Sequence, residues 1–475
     1  MVFSSIEFLC AFLPVLFIIY TALSFLKAPC KLTIQNWILI VASFLFYAYG
    51  EPVYILLLVV SALFNHICAL FVSPEHSRAR KPVLIAAVCV NLGILAFFKY
   101  TGMLVETFNS LSGLSVPVPN ITLPIGISFF TFQILSYVID VYRGTVAPQR
   151  DFSKTLLYII FFPQLIAGPI VKFHDINAEL ADRHQTIDGV ANGLRRFIVG
   201  LAKKVLVSNT VALAVDTIFA ADIADVNIAA AWIAAVGYML QIYFDFSGYS
   251  DMAIGMGEMF GFHFNENFNH PYTADSIRDF WRRWHISLSS WFKDYLYIPL
   301  GGNRRGRLRT CINKVIVFFC TGLWHGANWT FVLWGLYHGA FLIFEEYLPK
   351  KRKVPSFLRH IYVLLVVCVG FVLFRADTLT QAVQFIGQMF GGWRFDAGSS
   401  ALALSQLTPL FIFAAGAGII GSIPLKKPVS NALAKVGVKL GAQKVLSYCG
   451  ALLLLVLCIV CLAGSTYNPF IYFRF

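Results

Sequence analysis

The sequence is poor in charge. Of its 475 residues only 13% are Asp, Glu, Lys or Arg, whereas 58% are hydrophobic. Soluble domains carry about 25% charged residues. A chain with half that share cannot cover itself with polar surface, which excludes a soluble globular protein and indicates an integral membrane protein. Acids are scarcer than bases, 24 against 37, for a net charge of +13. A nucleic-acid partner is nevertheless excluded. The basic residues sit in short connections between apolar runs, as the positive-inside rule describes, and part of the excess suits anionic lipid head groups. Residues Met1 to Glu7 lack a basic n-region, and no small-residue cleavage site precedes Lys27. The first apolar run therefore reads as a retained span. The ten cysteines follow no disulfide or zinc spacing, so no metal is expected, and the lone CxxC of Cys458 and Cys461 reads as small apolar residues in a helix. There is no internal repeat, which removes support from a repeat-built transporter.

What is abundant is apolar sequence in span-length runs. Such runs, on the order of 20 residues each, lie at 5–26, 33–50, 52–72, 82–101, 123–142, 205–220, 228–256, 357–375, 407–423 and 446–463. All basic residues except Lys99, Arg375, Arg394 and Arg474 fall in six connections: 27–31, 78–81, 143–204, 278–314, 350–359 and 424–444. The expected architecture is an all-α polytopic membrane protein, one domain over 1–475, with about ten spans and both termini outside. Residues 311–347 lie between two basic connections, so this apolar stretch enters the membrane and returns as a re-entrant hairpin or two spans with a short turn. Gly322, Gly326 and Ala327 at its centre allow a bend or close packing. Two further segments read as interrupted: 161–169, with Pro163 and Pro169, and 243–251, with Asp245, Gly248 and Asp251.

The hairpin carries the first candidate for chemistry. His325 sits at membrane depth in Gly322-Leu-Trp-His-Gly-Ala-Asn-Trp329. A titratable side chain there is costly and points to function, as a general base or hydrogen-bond donor. Trp324, Asn328 and Trp329 are neighbouring N–H donors. His338, 13 residues on, reads as structural or as a cavity-mouth residue, because one continuous helix would separate it from His325 by about 20 Å. His285, in Asp279-Phe-Trp-Arg-Arg-Trp-His-Ile286, reads either as part of an interfacial aromatic and basic anchor or as a second polar group facing the cavity. Gly301-Gly-Asn-Arg-Arg-Gly-Arg307 reads either as a topogenic loop or as a phosphate cradle; it is neither a Walker motif nor a dinucleotide fingerprint. Asp245 and Asp251 read first as helix caps at a break and alternatively as cavity-lining acids.

Residues 278–300, the Gly301-Gly-Asn-Arg304 run, Gly322–Trp329 and Trp334-Gly-Leu-Tyr-His-Gly339 resemble the membrane-bound O-acyltransferases, in the branch that acetylates alginate and other bacterial polysaccharides. Gln241–Asp251, Pro124-Ile-Gly-Ile-Ser-Phe129 and the tail Tyr467-Asn-Pro-Phe-Ile-Tyr-Phe473 fit as well. The resemblance implies a helical funnel around a tunnel, with acetyl-CoA as cytoplasmic donor and an exported polysaccharide as acceptor. It also implies a secreted or membrane-anchored acetyltransferase partner with a serine nucleophile, and a place in the bacterial inner membrane. It maps the family histidine onto His325 and the second polar position of the active site onto His285. It puts the phosphates of coenzyme A beside Arg304, Arg305, Arg307 and Arg309, with Asp245, Trp324, Asn328, Trp329 and His338 as supporting residues. D-alanyl transfer, a transporter and a passive scaffold for polysaccharide export are the alternatives.

Overall fold

A computed structural model describes residues 1–75, 79–348, 354–464 and 467–468, and for Lys426 the main chain alone. Arg78, Lys350 to Lys353 and most of the 467–473 tail motif lie outside the described residues. Within them the chain is helical, with no strand. Six helices are long and apolar enough to cross a membrane: Lys31–Ala48, Arg80–Ser112, Ile187–Ala220, Ile228–Met259, Ser356–Arg375 and Leu440–Gly464. The pair Ala397–Gln406 and Pro409–Gly421, bent by 62°, makes a seventh if it is one span. The other expected runs are shorter helices. Phe8–Ser24 and Ile55–Phe71 are apolar, and Ile127–Arg143 is buried along almost its whole length, as expected of a helix enclosed on all sides.

The chain divides into two compact units. The first comprises Met1–Phe197 and Ser250–Glu266. Its core is aromatic: Phe46 packs against Phe3 at 5.5 Å and Phe162 at 5.5 Å, and Phe12 meets Phe162 edge-on at 5.5 Å. The expected interruption at 161–169 is present. Helix Phe152–Ile160 stops at Phe161, and a four-residue turn Phe162–Leu165 begins with Pro163 at its second position, where a missing N–H costs nothing.

The second unit comprises Ile198–Tyr249 and Asn267–Phe475. It contains the hairpin, as helices Arg307–His325 and Trp329–Tyr347 of 19 residues each, about 28 Å apiece. Glycine sets how closely they pack. A Cβ on Gly322 would lie 2.3 Å from the Phe331 carbonyl oxygen, and one on Gly335 2.2 Å from that of Phe318. The turn between them needs Gly326, whose Cβ would strike the Phe331 ring at 2.3 Å.

Three expectations are corrected. The 243–251 segment is not a break: Ile228–Met259 runs through it without interruption. Asp245 and Asp251 are therefore not caps. Asp245 pairs with Lys204 at 2.6 Å with both side chains almost fully buried, and Asp251 accepts from Arg196 Nε and Nη2 at 3.0 and 2.9 Å. Burial of one charge is tolerated because the other neutralises it. Nor are all basic residues of 143–204 in a loop. Arg195, Arg196, Lys203 and Lys204 lie in the helix Ile187–Ala220, which passes through a π-turn at Lys203–Ser208. Residues 376–406, after the Ser356–Arg375 helix, carry two further helices, Leu379–Gly391 and Ala397–Gln406.

Candidate active site

His325 is the last residue of its helix and is 5% exposed. Its ring meets Trp324 at 5.0 Å, Trp334 at 5.0 Å and Phe374 at 5.2 Å, all edge-on. The indole of Trp324 also faces His285 at 5.9 Å. The structure therefore brings the two histidines to the same tryptophan, although 40 positions separate them in sequence.

His285 is held unusually. Its backbone is left-handed, φ 43° and ψ 56°, a conformation that costs a residue with a side chain on the order of 1–2 kcal/mol. Surrounding contacts impose it. Helix Ile277–Arg283 ends just before, helix Ile286–Phe292 starts just after, and two backbone bonds tie this corner to the adjacent extended segment: Asn269 N to Arg283 O and Ile286 N to Asn267 O, both 2.9 Å. The ring stands perpendicular to Phe246 at 4.5 Å and is 1% exposed.

Asn267, which the sequence reading did not single out, determines the tautomer. Its Oδ1 accepts from Ser287 N at 3.2 Å and Ser287 Oγ at 2.9 Å, and lies 3.2 Å from His285 Nδ1. A backbone N–H can only donate, so the atom it meets is an acceptor. His285 Nδ1 must then carry the proton, which leaves the lone pair on Nε2. That nitrogen is buried and has no hydrogen-bond partner among the described residues. A tautomer fixed in this way presents a base to a reacting group.

His338 is closer to His325 than a continuous helix would allow, because the chain folds back between them. Trp334 contacts both, at 5.0 and 5.2 Å. His338 is fully buried, packed against Trp281 and Tyr337 at 5.1 and 5.3 Å, so it is not at a cavity mouth. Two supporting residues face elsewhere. Trp329 is 49% exposed. Asn328 spends its side chain on capping: Oδ1 accepts from Thr330 N at 3.0 Å, and Nδ2 donates to Asp377 O at 2.8 Å. Asp245 is committed to Lys204, one residue before the Phe246 that supports His285.

A cavity of about 490 Å³ opens beside the hairpin. Trp281 lines it and also contacts His338 and Trp334, at 5.1 and 5.6 Å. The cations in its wall are Arg278, Arg282, Lys293 and Lys314, with Asn303 nearby. Arg304, Arg305, Arg307 and Arg309 are not among its lining residues. The first three are exposed, and Arg309 points its guanidinium at Leu300 O, 3.4 Å away. Glu346, also in the wall, holds Lys314 and Arg278, the latter at 3.2 Å. Local sequence gave no means of choosing these four cations over the denser arginine run that follows.

A match to the membrane-bound O-acyltransferase family covers residues 149–376, which include both histidines and the cavity wall. The chain is similar over its full length to a probable alginate O-acetylase of Pseudomonas putida, 39% identical with all of both chains covered. A probable alginate O-acetylase of Azotobacter vinelandii is 38% identical, again over all of both chains. A peptidoglycan O-acetyltransferase of Helicobacter pylori is 37% identical over 82% of this chain and 80% of its own. With a helical body carrying six or seven apolar spans, these matches establish the chain as a multi-pass membrane acyltransferase belonging to the membrane-bound O-acyltransferase family.

Proposed function

We propose that the protein transfers acetyl from cytoplasmic acetyl-CoA to a polysaccharide exported across the bacterial inner membrane. The observation that carries this reading is the pair His285 and His325 on one tryptophan, with His285 Nε2 held as a lone-pair donor. The similar proteins named for acetylation of alginate and peptidoglycan support the acyl group and the polymer class.

In this reading the thioester approaches through the basic-walled cavity, with its phosphates held by Arg278, Arg282, Lys293 and Lys314 at the entrance. One histidine takes the proton from an acceptor hydroxyl as its oxygen attacks the thioester carbonyl. The C–O bond forms, the carbonyl electrons move onto oxygen, and the other imidazole N–H stabilises that oxyanion. The C–S bond then breaks, and the departing thiolate takes the proton held by the base. His285, with its lone pair on Nε2, acts as the base, and an imidazole N–H of His325 is the oxyanion donor. The aromatic packing around them keeps out water that would hydrolyse the thioester.

The same proposal places ten spans in the membrane, both termini outside, and 311–347 entering from the cytoplasmic side. Arg80–Ser112 supports an outer docking platform. Its 33 residues extend about 50 Å against a hydrocarbon thickness of about 30 Å, and Leu104, Phe108 and Leu111 lie exposed towards its end. A secreted acetyltransferase with a serine nucleophile docks there and at 376–406, and relays acetyl to the polymer. Purified protein incubated with radiolabelled acetyl-CoA, with and without such a partner and its polysaccharide, tests the reading. Transport of a solute with no acetyl transfer would replace it with the transporter alternative.

A further inference from the structure

A second cavity, of about 440 Å³, lies in the Ile198–Tyr249 and Asn267–Phe475 unit, remote in character from the first. Its walls are apolar: Trp232, Val236, Met239 and Leu240 from helix Ile228–Met259; Ile361, Leu364, Leu365 and Cys368 from helix Ser356–Arg375; and Ile419 and Ile423 from the Pro409–Gly421 helix and the residues after it. Val236, Ile361, Ile419 and Ile423 are also exposed. In a membrane protein that exposure faces lipid, so the cavity opens sideways to acyl chains.

Its polar lining is Tyr272, Thr273, His360 and Ser422; the Tyr272 hydroxyl is committed to Met239 O, and the contacts of the other three converge on one turn, 270–274. His360 Nδ1 donates to Ala274 O at 3.0 Å, Thr273 Oγ1 donates to His270 O at 2.8 Å, and His270 Nδ1 donates to Ser422 O at 3.2 Å. Three cations lie on or beside these segments, two of them paired with acids, Arg283 with Asp279 at 2.8 Å and Arg359 with Asp275 at 2.9 Å. Arg283 reaches Thr273 Oγ1 at 3.4 Å, Arg359 precedes His360 and is half exposed against Asp275, and Lys427, exposed, follows Ile423 by four residues. An apolar slot with a hydrogen-bonding, basic mouth matches one kind of ligand: an acyl chain that ends in an anionic head group.

We propose that this crevice is a binding site for an anionic glycerophospholipid, with one acyl chain lying between helices Ile228–Met259 and Ser356–Arg375 and the phosphate at His360, Arg359 and Lys427. Helix Ser356–Arg375 carries Phe374, which packs on His325 at 5.2 Å. A bound lipid thus braces the helix that walls the candidate active site. The inference concerns binding and stands whether or not the acetyl-transfer reading holds.

The test uses full-length protein in detergent, dioleoylphosphatidylglycerol and dioleoylphosphatidylcholine as probes, and native mass spectrometry. One phosphatidylglycerol should remain bound per chain under activation that strips phosphatidylcholine. Val236→Trp and Ile419→Trp, each filling the slot from its lipid side, should lower retention about tenfold. Arg359→Ala with Lys427→Ala should remove the preference for phosphatidylglycerol and leave chain insertion intact. On the wild-type protein, a phosphatidylglycerol with a diazirine in its chain should crosslink chiefly to Trp232–Leu240, Ile361–Cys368 and Ile419–Ile423. Crosslinks spread evenly over all lipid-facing helices would overturn the proposal, as would unchanged retention in both correctly folded tryptophan variants.

Discussion

Asn267→Ala isolates the feature on which the histidine chemistry depends. Three donors converge on Asn267 Oδ1: Ser287 N, Ser287 Oγ and His285 Nδ1, at 3.2, 2.9 and 3.2 Å. Each buried donor left without a partner costs about 1–3 kcal/mol. Ser287 Oγ can re-aim, so the net loss of stability is about 2–4 kcal/mol. Its effect on catalysis has two parts. Loss of a tautomer preference of ~1 kcal/mol takes the productive form from most of the population to about half, a factor of about two. Release of the ring matters more, since a misplacement of ~1 Å in a catalytic group costs about 100-fold. The expected result is a 10- to 100-fold fall in kcat, with KM for acetyl-CoA changed by no more than about twofold. Asn267→Asp keeps an acceptor for all three donors and should recover much of the rate. The assay is transfer of radiolabelled acetyl by protein reconstituted in vesicles, with thermal unfolding in parallel to separate folding from turnover. If Asn267→Ala folds and its kcat stays within about twofold of wild type, His285 is not an oriented base and the argument fails.

The remaining expectations are more direct. His325→Ala should abolish acetyl transfer with near-normal membrane expression, and His338→Ala should lose less; full activity in the first variant would remove His325 from the mechanism. Neutralising Arg282 and Lys293 should raise KM for acetyl-CoA more than it lowers kcat, because phosphate contacts far from the carbonyl are uniform binding. Salt should shrink that effect, and the same change at Arg304 and Arg305, outside the cavity wall, should do less. Gly335→Ala, whose Cβ would meet the Phe318 carbonyl at 2.2 Å, should cost about 1–3 kcal/mol of stability, read by thermal unfolding. Impermeant maleimide on intact cells should label single cysteines at 102–120 and 376–406, but none at 304–314.

Much of the fold was legible because charge and apolar length are written locally. The hairpin followed from two flanking basic connections, and its closeness from the small residues Gly322, Gly326 and Ala327, whereas the close contact at Gly335 was not legible. What misled was also local. Asp245, Gly248 and Asp251 together resemble a helix break, yet Lys204 and Arg196, distant in sequence, neutralise those acids and allow the helix to continue. His325 stood out by its position, and His285 through the family resemblance. Asn267 did not stand out, since nothing in Phe264-Asn-Glu-Asn-Phe268 shows which amide turns inward. The cavity cations were hidden for a similar reason. Arg278, Arg282, Lys293 and Lys314 are spread over two helices and a π-turn, and only packing gives them a common wall. The arginine run at 304–309 is denser in sequence but mostly points outward.

The glycine contacts between the hairpin helices limit how the machine can work. Where Gly322 meets Phe331 and Gly335 meets Phe318, main chain rests on main chain. Sliding the second helix by a single turn, about 5.4 Å, away from the His325 end would set Phe331 where Gly335 now meets the Phe318 carbonyl, so a bulky side chain opposes that shift. The hairpin is therefore a close-packed post, and His325 is mounted at its tip. In the proposed reaction the acetyl group would then be brought to a histidine that keeps its place, carried on the flexible arm of its own donor.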